Sequence, residues 1–376
     1  MHKRILFLIP TLEGGGAEKV LVNLVNSITE STDWEVEILL LVRGGDNQYL
    51  LNKSVRTSSI FPVKIPLLRI IFKLFSPSLL YRLFIRNQYD LIIAFLEGTM
   101  MRIVSGAPDG QKTIGWFHSS ITAADIKQHY RSLSEFCSSC ESFNRIVAVS
   151  DGVRSIVSDL SHISIEKILV LPNVNDDRAI LKMSKIPTGV LGDLTGKTAV
   201  VVGKLARSKG VFRVLDALKS KRKELEDLTV AFVGTGPDAD ELEREAKLLG
   251  LSERIIFAGY QDNPYNWIKE SSFLICPSYA EGLSTVVTEA LLLGRPVVAT
   301  RCSGMEELLG ESEFGLIVDN QTDALLEGIC KMCSDDALRE KYANASYVRG
   351  SLFSKTAVLE KILSNIEELW QEVIEE

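Results

Sequence analysis

Residues 273–294 read FLICPSYAEGLSTVVTEALLLG, and this stretch contains one complete copy of a pattern that recurs along the chain. Its first four residues form an apolar run too short for a helix and typical of a buried parallel strand. A polar loop with Glu281 and Gly282 follows. A helix is then predicted from Ser284, a residue type favoured at N-caps, to Gly294, a residue type favoured just after a C-terminus. A strand that leads through a loop into a helix is the repeating unit of parallel α/β sheets.

Short apolar runs of this kind recur along the whole chain and alternate with amphipathic helical stretches such as 17–28. This alternation predicts an α/β fold with doubly wound parallel sheets. The predicted strands are Ile5–Ile9, Val36–Val42, Leu91–Phe95, Thr113–Phe117, Ile146–Val149, Ile168–Leu171, Thr198–Val202, Val230–Val233, Ile255–Phe257, Phe273–Cys276, Val297–Ala299 and Leu316–Val318.

The strand runs fall into two groups, and the length of 376 residues suits two domains. Between the groups, residues 173–196 are polar and rich in turn formers, which predicts a linker. We therefore expect an N-terminal domain over 1–175 and a C-terminal domain over 176–354. The last helical stretch, 355–376, is long enough to return to the N-terminal domain.

The composition is that of a soluble protein, with 46% hydrophobic and 24% charged residues. The net charge of −7 argues against nucleic acid as a partner. No apolar run approaches the length that spans a bilayer. The first run, after Met1–Arg4, is too short for a signal peptide and lacks a cleavage site, so we expect a cytoplasmic protein.

The six cysteines include two Cys-x-x-Cys pairs, Cys137/Cys140 and Cys330/Cys333. Together they leave a tetra-thiolate zinc site as an alternative. The spacing between the pairs is very long, and both pairs lie in helical patterns, so packed, reduced thiols are the favoured interpretation.

In open α/β sheets ligands bind in the loops at the carboxyl ends of the strands, and four such loops carry unusual residues. The first is Gly14–Glu18, in which three consecutive glycines open a helix whose N-terminus favours an anion. Its spacing does not match the dinucleotide fingerprint. The second is Gly234-Thr235-Gly236, which lets the backbone pass close to a ligand but is also compatible with a plain turn.

The third loop, Gly203–Gly210, is basic, with Lys204, Arg207 and Lys209 around one turn. Cations at the carboxyl end of a strand can clamp a diphosphate, although a solvated basic loop is the alternative.

The fourth loop, after Cys276, places Glu281 before a helix and Glu289 about a turn into it. Carboxylates accept hydrogen bonds from sugar hydroxyls, so one can hold a transferred sugar and the other a ribose. The amides of residues 283–285 are the unpaired donors of a helix start and suit phosphate oxygens.

The four loops, in their order along the chain, resemble those of family 4 retaining glycosyltransferases with the GT-B fold, in which two Rossmann-like domains face a cleft. The similarity covers nearly the whole chain. Three further segments resemble that family, namely Val149–Val153, Leu171–Val174 and Ser303–Glu307.

The resemblance implies a role for each matching residue. Lys204, where the family more often has Arg, and Lys209 are expected to neutralise the donor diphosphate during catalysis. Glu281 is expected to bind the donor sugar, and His118, at a strand end, to lie near the reacting centre. The expected donor-binding residues are Gly15, Gly16, Gly203, Gly234, Gly236, Tyr260, Gly282, Leu283, Ser284 and Glu289.

The reaction implied is transfer from a nucleotide diphosphate sugar, with UDP the leading base, to an acceptor hydroxyl with retained anomeric configuration. No carboxylate is placed as a nucleophile, which favours front-face attack. We expect no metal and no other cofactor, because the lysines neutralise the diphosphate and the one Asp-x-Asp, Asp238–Asp240, lies at a helix start.

The segment 47–89 has no acidic residue but seven basic ones within an acidic protein. Within it, residues 64–86 combine basic positions with strongly apolar helical stretches, a pattern of interfacial helices on anionic membranes. We therefore expect peripheral association with the inner face of the plasma membrane and a lipid-linked or glycan acceptor of cell-envelope synthesis. Ordinary packing against the first sheet is the alternative.

Three other functions are compatible with parts of this sequence. A nicotinamide-dependent oxidoreductase is disfavoured because the second strand ends Leu41-Val-Arg-Gly-Gly45 without an acidic residue. A sugar-nucleotide epimerase of the same fold and a non-catalytic sugar-nucleotide-binding subunit remain open, as do the sugar and the acceptor.

Overall fold

The computed structural model describes residues 3–13, 15–221 and 223–372 and divides into two compact units. Unit 1 comprises Met1–Val174 and Val358–Glu376, and unit 2 comprises Asn175–Ala357. The predicted boundary at 175/176 lies one residue from this division. Of the C-terminal stretch predicted to join the first domain, residues 373–376 lie outside the described residues.

Unit 1 is built on a parallel sheet of seven strands in the order β3-β2-β1-β4-β5-β6-β7. Its strands are β1 Arg4–Ile9, β2 Glu35–Val42, β3 Arg56–Phe61, β4 Leu91–Ala94, β5 Thr113–Phe117, β6 Arg145–Ala148 and β7 Ile168–Val170.

Unit 2 is built on a parallel sheet of six strands in the order β10-β9-β8-β11-β12-β13. Its strands are β8 Lys197–Val202, β9 Leu228–Val233, β10 Ile255–Gly259, β11 Phe273–Cys276, β12 Val297–Thr300 and β13 Leu316–Val318.

Helices connect the parallel strands in both units. They are α1 Gly16–Ser31, α2 Leu68–Lys73, α3 Pro77–Phe84, α4 Thr99–Val104, α5 Ala123–His129, α6 Leu133–Glu141, α7 Asp151–Ser161, α8 Asp177–Met183, α9 Val211–Ser220, α10 Ala239–Leu248, α11 Pro264–Glu270, α12 Thr285–Leu292, α13 Met305–Leu309, α14 Thr322–Ser334, α15 Asp336–Gly350 and α16 Lys355–Gln371.

The central strands are buried on both faces, which explains their continuous apolar sequences. β4, β11 and β12 are buried along their whole length, and β1 is buried from Ile5 onwards. In unit 2 the core joins the strands to α9 and α14, through residues such as Val214 and Ile329. Burial of this apolar surface is the main stabilising contribution to each unit. The predicted doubly wound α/β class is therefore confirmed.

Each predicted strand overlaps an observed strand, but the sequence did not reveal β3, whose residues are RTSSIF. β3 lies at the edge of the sheet and is nowhere fully buried, so its sequence lacks the apolar run of a central strand. The description of residues 173–196 as a linker was also incomplete, because this segment contains α8. At the start of α8, Asp176 Oδ1 accepts a hydrogen bond from the Ala179 N–H at 3.0 Å.

The cysteines of the two Cys-x-x-Cys pairs are free and lie in α6 and α14, which belong to different units. Burial raises the pKa of all four thiols, which agrees with packed, unreactive cysteines. Within the described residues no group of three His, Cys, Asp or Glu side chains is arranged to hold a metal ion.

The predicted interfacial segment 64–86 forms two short helices, α2 and α3. Over the described ranges of the chain, no helix has the length and apolar content needed to cross a membrane.

Candidate active site

The loops that follow β8 and β9 are pressed together at the carboxyl edge of the six-stranded sheet. A Cβ at Gly234 would lie 2.0 Å from the Gly203 carbonyl oxygen, and a Cβ at Gly236 would lie 2.2 Å from the Leu205 oxygen. Gly203 and Gly234 also have φ values of +135° and +143°, which other residues rarely adopt. The sequence predicted that Gly234 and Gly236 let the backbone approach a ligand. In the structure these glycines let the loops after β8 and β9 approach each other.

Two further glycines join the loops after β8, β11 and β12. A Cβ at Gly210 would lie 1.9 Å from the Pro277 oxygen, and one at Gly304 would lie 2.4 Å from the Gly282 oxygen. The Tyr279 N–H also donates to the Ser208 carbonyl at 3.3 Å. This packing sets the basic loop beside the acidic loop.

The result is a direct contact between Lys209 and Glu281. Lys209 Nζ lies 2.8 Å from both carboxylate oxygens of Glu281, and Ser278 Oγ donates to Oε1 at 2.6 Å. The Glu281 side chain is only 13% exposed, so these hydrogen bonds fix its orientation. Charge-assisted bonds of this length are among the stronger polar contacts in proteins.

The other two cations of the basic loop behave differently. The Arg207 guanidinium pairs with Glu241 of α10 at 2.6 Å, and the Arg207 N–H donates to Asp238 at 2.7 Å. Arg207 therefore stabilises the connection to α10. Lys204 is exposed, and within the described residues it forms no ion pair, so its ammonium group is accessible to an anion.

The helix α12 begins directly after the acidic loop. Thr288 makes the first bond of its ladder, to the Ser284 carbonyl at 3.1 Å, which leaves earlier N–H groups without intrahelical partners. Ser284 stands at the N-cap, as predicted, but its hydroxyl does not cap the helix and instead lies 3.9 Å from Cys276 Sγ. Leu283 and Ser284 are both buried at this helix start.

Glu289 lies in the second turn of α12 and is 6% exposed. A carboxylate that merely complements the helix dipole would remain in water, because glutamate is rarely buried to this extent. Tyr260, predicted to meet the base, follows β10 and is 60% exposed. The Gly259 carbonyl before it accepts the Gly234 N–H at 2.8 Å, which places Tyr260 beside the glycine loop of β9.

His118 follows β5 at the carboxyl edge of the seven-stranded sheet in unit 1. Its ring packs against Phe95 at 4.3 Å and is stacked on Trp116 at 5.8 Å between centroids. Burial lowers the pKa of His118 to about 3, and the nearby Asn173 side chain offsets only part of this effect. The neutral imidazole is therefore the form present near pH 7.

Glu97 is a half-buried carboxylate that was not among the site residues predicted from the sequence. It follows β4, and its Oε2 accepts the His118 N–H at 2.9 Å while Oε1 accepts the Ser119 hydroxyl. Burial is the largest cause that raises the pKa of Glu97. Glu97 belongs to no spacing motif, but its position two residues after a predicted strand end was a signal that could have identified it.

In the N-terminal glycine loop, Gly14 lies outside the described residues. Gly15 precedes α1 with an extended backbone, and Gly16 is the first residue of the helix. A Cβ at Gly15 would lie 2.0 Å from Glu18 Oε2, so the Glu18 carboxylate folds back over the helix start, and burial raises its pKa. A carboxylate thus lies where the resemblance implies a donor phosphate, and the role of Gly15 and Gly16 stays a prediction.

Family models of known proteins match both the N-terminal and the C-terminal half of the chain. Residues 14–178 match the family model described as Glycosyltransferase Family 4, and residues 188–349 match the one described as Glycosyl transferases group 1. The chain belongs to the family 4 type of glycosyltransferases.

This glycosyltransferase is 33% identical over 170 residues to N-acetylgalactosamine-N,N'-diacetylbacillosaminyl-diphospho-undecaprenol 4-alpha-N-acetylgalactosaminyltransferase of Campylobacter jejuni. That match covers 44% of this chain and 45% of the relative. It is also 22% identical over 351 residues to the lipopolysaccharide core biosynthesis glycosyltransferase LpsE of Rhizobium meliloti, covering 93% and 95% of the two chains.

The fold is shared with the crystal structure of Anabaena Alr3699/HepE in complex with UDP-glucose. The TM-score is 0.77 at 20% identity, and the match covers 98% of this glycosyltransferase and all of the other chain. The predictions of the family and of the GT-B fold are thus confirmed.

Proposed function

We propose that this glycosyltransferase moves a sugar from a UDP-sugar to a hydroxyl group of a glycan or lipid-linked acceptor during synthesis of a cell-envelope polysaccharide or glycolipid. The UDP-glucose bound in the Anabaena structure supports the choice of donor. The diphospho-undecaprenol substrate in the name of the Campylobacter relative, and the lipopolysaccharide core in that of the Rhizobium relative, support the class of acceptor.

The observation that carries the proposal is the contact of Lys209 with Glu281 beside the start of α12. A cation, a fixed carboxylate and the N–H groups of a helix start then lie at one edge of one sheet. These are the groups that a diphosphate joined to a hydroxylated sugar requires. In this proposal Lys209 and Lys204 bind the diphosphate, Glu281 the sugar hydroxyls and Glu289 the ribose.

The proposed mechanism retains the anomeric configuration by attack on the same face from which the diphosphate departs. Lys204, Lys209 and the α12 amides stabilise the negative charge that develops on the leaving diphosphate. The departing phosphate oxygen accepts the proton of the acceptor hydroxyl. Because the two ammonium groups supply the positive charge, we propose that the reaction needs no divalent metal.

We also propose that the segment 64–86 contacts an anionic membrane surface. Its apolar side chains are unusually exposed, with Leu74 76% and Leu67 71% accessible, and Arg82 and Arg86 are exposed nearby. Apolar side chains with basic neighbours suit the boundary between headgroups and acyl chains. This supports a peripheral location at the inner face of the plasma membrane.

The donor half of the proposal is tested by thermal shift with UDP, GDP, ADP and their sugars. UDP and one UDP-sugar should raise the melting temperature most. With that donor and a diphospholipid-linked sugar as acceptor, NMR of the product should show the anomeric configuration of the donor, and EDTA should leave the rate unchanged. An inverted product, or a rate restored only by a metal ion, contradicts the mechanism.

The membrane half is tested by liposome flotation. The chain should float with vesicles containing phosphatidylglycerol and less with pure phosphatidylcholine. Lys73→Glu/Arg82→Glu/Arg86→Glu should abolish this preference, whereas Lys219→Glu, at an exposed position on α9, should preserve it. Equal recovery with both vesicle types contradicts the membrane contact.

A further inference from the structure

An apolar groove lies within unit 1 at the carboxyl end of β2. Its volume is about 480 Å³, within the range of roughly 300–1,000 Å³ typical of small-molecule sites. Leu41 and Val42 form its sheet side. The residues of the 64–73 segment that line it are Lys64, Ile65, Leu67, Leu68, Arg69, Ile70 and Lys73.

Two cations at the rim of this groove, Arg69 and Lys73, are fixed by hydrogen bonds to uncharged groups. Arg69 Nη1 donates to Gln128 Oε1 at 3.0 Å, and Lys73 Nζ donates to the Lys127 carbonyl oxygen. Among the described side chains, neither cation forms an ion pair with a carboxylate, whereas Lys64 pairs with Glu13 at 2.7 Å. Both therefore retain their charge at the mouth of an apolar site.

The neighbouring His129 reports the electrostatic character of this rim. The pKa of His129 is lowered to about 4, mainly by burial, with further lowering by Arg69 and Lys73 and a partial offset by Asp125. The His129 Nδ1 also lies 2.9 Å from the Thr99 hydroxyl. The part of this lowering that is due to Arg69 and Lys73 shows that their positive charge acts at the rim, and positive charge attracts an anion.

A buried arginine fixes the segment that forms the groove. Arg102 is 1% exposed, and it donates to the carbonyl oxygens of Phe72 and Phe75 at 2.8 Å each. It also pairs with Glu135 at 2.8 Å, which balances its charge. Arg102 therefore links the end of α2 to α4 and α6. Because these bonds fix the position of α2, Leu67 and Ile70 are exposed in a defined conformation of this segment.

We propose that this groove binds the lipid diphosphate of the acceptor, with the prenyl chain against the apolar wall and the diphosphate at Arg69 and Lys73. Charge complementarity selects this occupant. A neutral lipid would leave the two cations without a partner, and a lipid-free glycan would leave the apolar wall in water. The assignment rests on the proposed function, because it names the acceptor site of the same reaction.

The groove lies at the carboxyl edge of its sheet, which is the edge where ligands bind in open α/β sheets. All strands of unit 1 are parallel, so the carboxyl end of β2 shares an edge with the ends of β4 and β5, where Glu97 and His118 lie. The helix α5, which supplies Gln128 and His129, packs on α2 and follows the loop of His118. A lipid diphosphate in the groove is thus bound at the same edge as His118.

The test uses the full chain and farnesyl diphosphate below its micellar concentration, with saturating UDP present to occupy the donor site. Titration calorimetry should show binding that is at least about tenfold tighter than that of farnesol or inorganic diphosphate. Arg69→Gln/Lys73→Gln and Ile70→Asp should each weaken it by about tenfold or more. Arg82→Gln/Arg86→Gln, which removes charge from the same segment outside the groove, should leave it unchanged.

Equal affinity in all variants, or equal affinity for farnesol or inorganic diphosphate, overturns the inference. Thermal shift with UDP in the same variants separates this result from failure of the proposed function. A chain that binds UDP normally but shows no groove-dependent binding of farnesyl diphosphate refutes the groove alone. A chain that ignores UDP while its groove variants lose farnesyl diphosphate refutes the donor site alone.

Discussion

Lys209 Nζ lies 2.8 Å from each carboxylate oxygen of Glu281, although 72 residues separate the two along the chain. They meet because β8 and β11 are neighbours in the sheet and the loops after them are joined at Gly210 and Pro277. In the proposed complex the cation faces the diphosphate and the carboxylate faces the sugar. Their roles are therefore coupled, and a change at one residue alters the partner of the other.

We expect Lys209→Ala to weaken UDP binding by about tenfold or more, since a hydrogen bond to a charged group contributes about 1.5–3 kcal/mol. Glu281→Gln should leave UDP binding unchanged or tighter, because it releases Lys209, yet it should weaken the UDP-sugar relative to UDP. Calorimetry with both ligands measures the two effects, with Lys219→Ala as the control. If both variants lose UDP equally, the division of roles between the two residues is wrong.

The close contacts of the glycine loops give a prediction about stability. Gly234→Ala and Gly236→Ala would each place a methyl group about 2 Å from a backbone oxygen that cannot move without shifting a neighbouring loop. We expect each to reduce the free energy of unfolding by at least about 2 kcal/mol. Gly192→Ala is the control, since a Cβ at Gly192 has no neighbour within 4 Å. Urea denaturation that shows the three variants equally stable contradicts this packing.

Sequence alone predicted most of the fold because the central strands are buried on both faces and leave a continuous apolar signal. β3 was not predicted because an edge strand needs no continuous apolar run, and its sequence RTSSIF is largely polar. α8 escaped because its polar N-terminus resembles a linker, although Asp176 caps it. β3 pairs with β2, and α8 packs against α11 and α12, so both elements are stabilised by contacts that a local sequence pattern does not show.

The site shows the same limit. Spacing motifs led to Glu281, Glu289 and the glycine loops, because those positions carry unusual residue types in a fixed order. Glu97 had no motif, and its significance arises only when β4 and β5 pair and bring the His118 N–H to its carboxylate. The back-folded Glu18 carboxylate was equally invisible, since it depends on the local path of the backbone at Gly15.

The contact of the half-buried Glu97 carboxylate with the His118 loop predicts that Glu97 positions this loop. Glu97→Ala leaves the His118 N–H and the Ser119 hydroxyl without their acceptor, so we expect a loss of about 1–3 kcal/mol in unfolding free energy. The turnover number should fall while the KM for the donor changes little. Glu97→Gln keeps an acceptor oxygen and should recover most of both losses.

Glu141→Gln, at an exposed position in α6, is the matched control for that pair. Steady-state rates with the donor and a lipid-linked acceptor, together with urea denaturation, provide the measurements. An unchanged turnover number in Glu97→Ala would show that the loop does not depend on this carboxylate.

The low pKa of His118 predicts how stability changes with pH. In the folded chain the pKa is about 3, against 6.5 for an unperturbed histidine, so between these values the unfolded chain binds a proton that the folded chain does not. Stability from this group is therefore complete above pH 6.5 and declines as the pH falls towards 3, by up to about 1.4 kcal/mol per pH unit. His129 acts in the same direction down to about pH 4, whereas Glu97, whose pKa is raised, acts in the opposite direction.

The contribution of His118 must therefore be measured as a difference between variants. From pH 7 to pH 5 the wild type should lose about 2 kcal/mol more unfolding free energy than His118→Asn. His162→Asn changes an exposed histidine with a φ of +61°, which asparagine tolerates, and should follow the wild type. Parallel urea curves for the wild type and His118→Asn at both pH values would show that the His118 ring is protonated as readily in the folded chain as in the unfolded one.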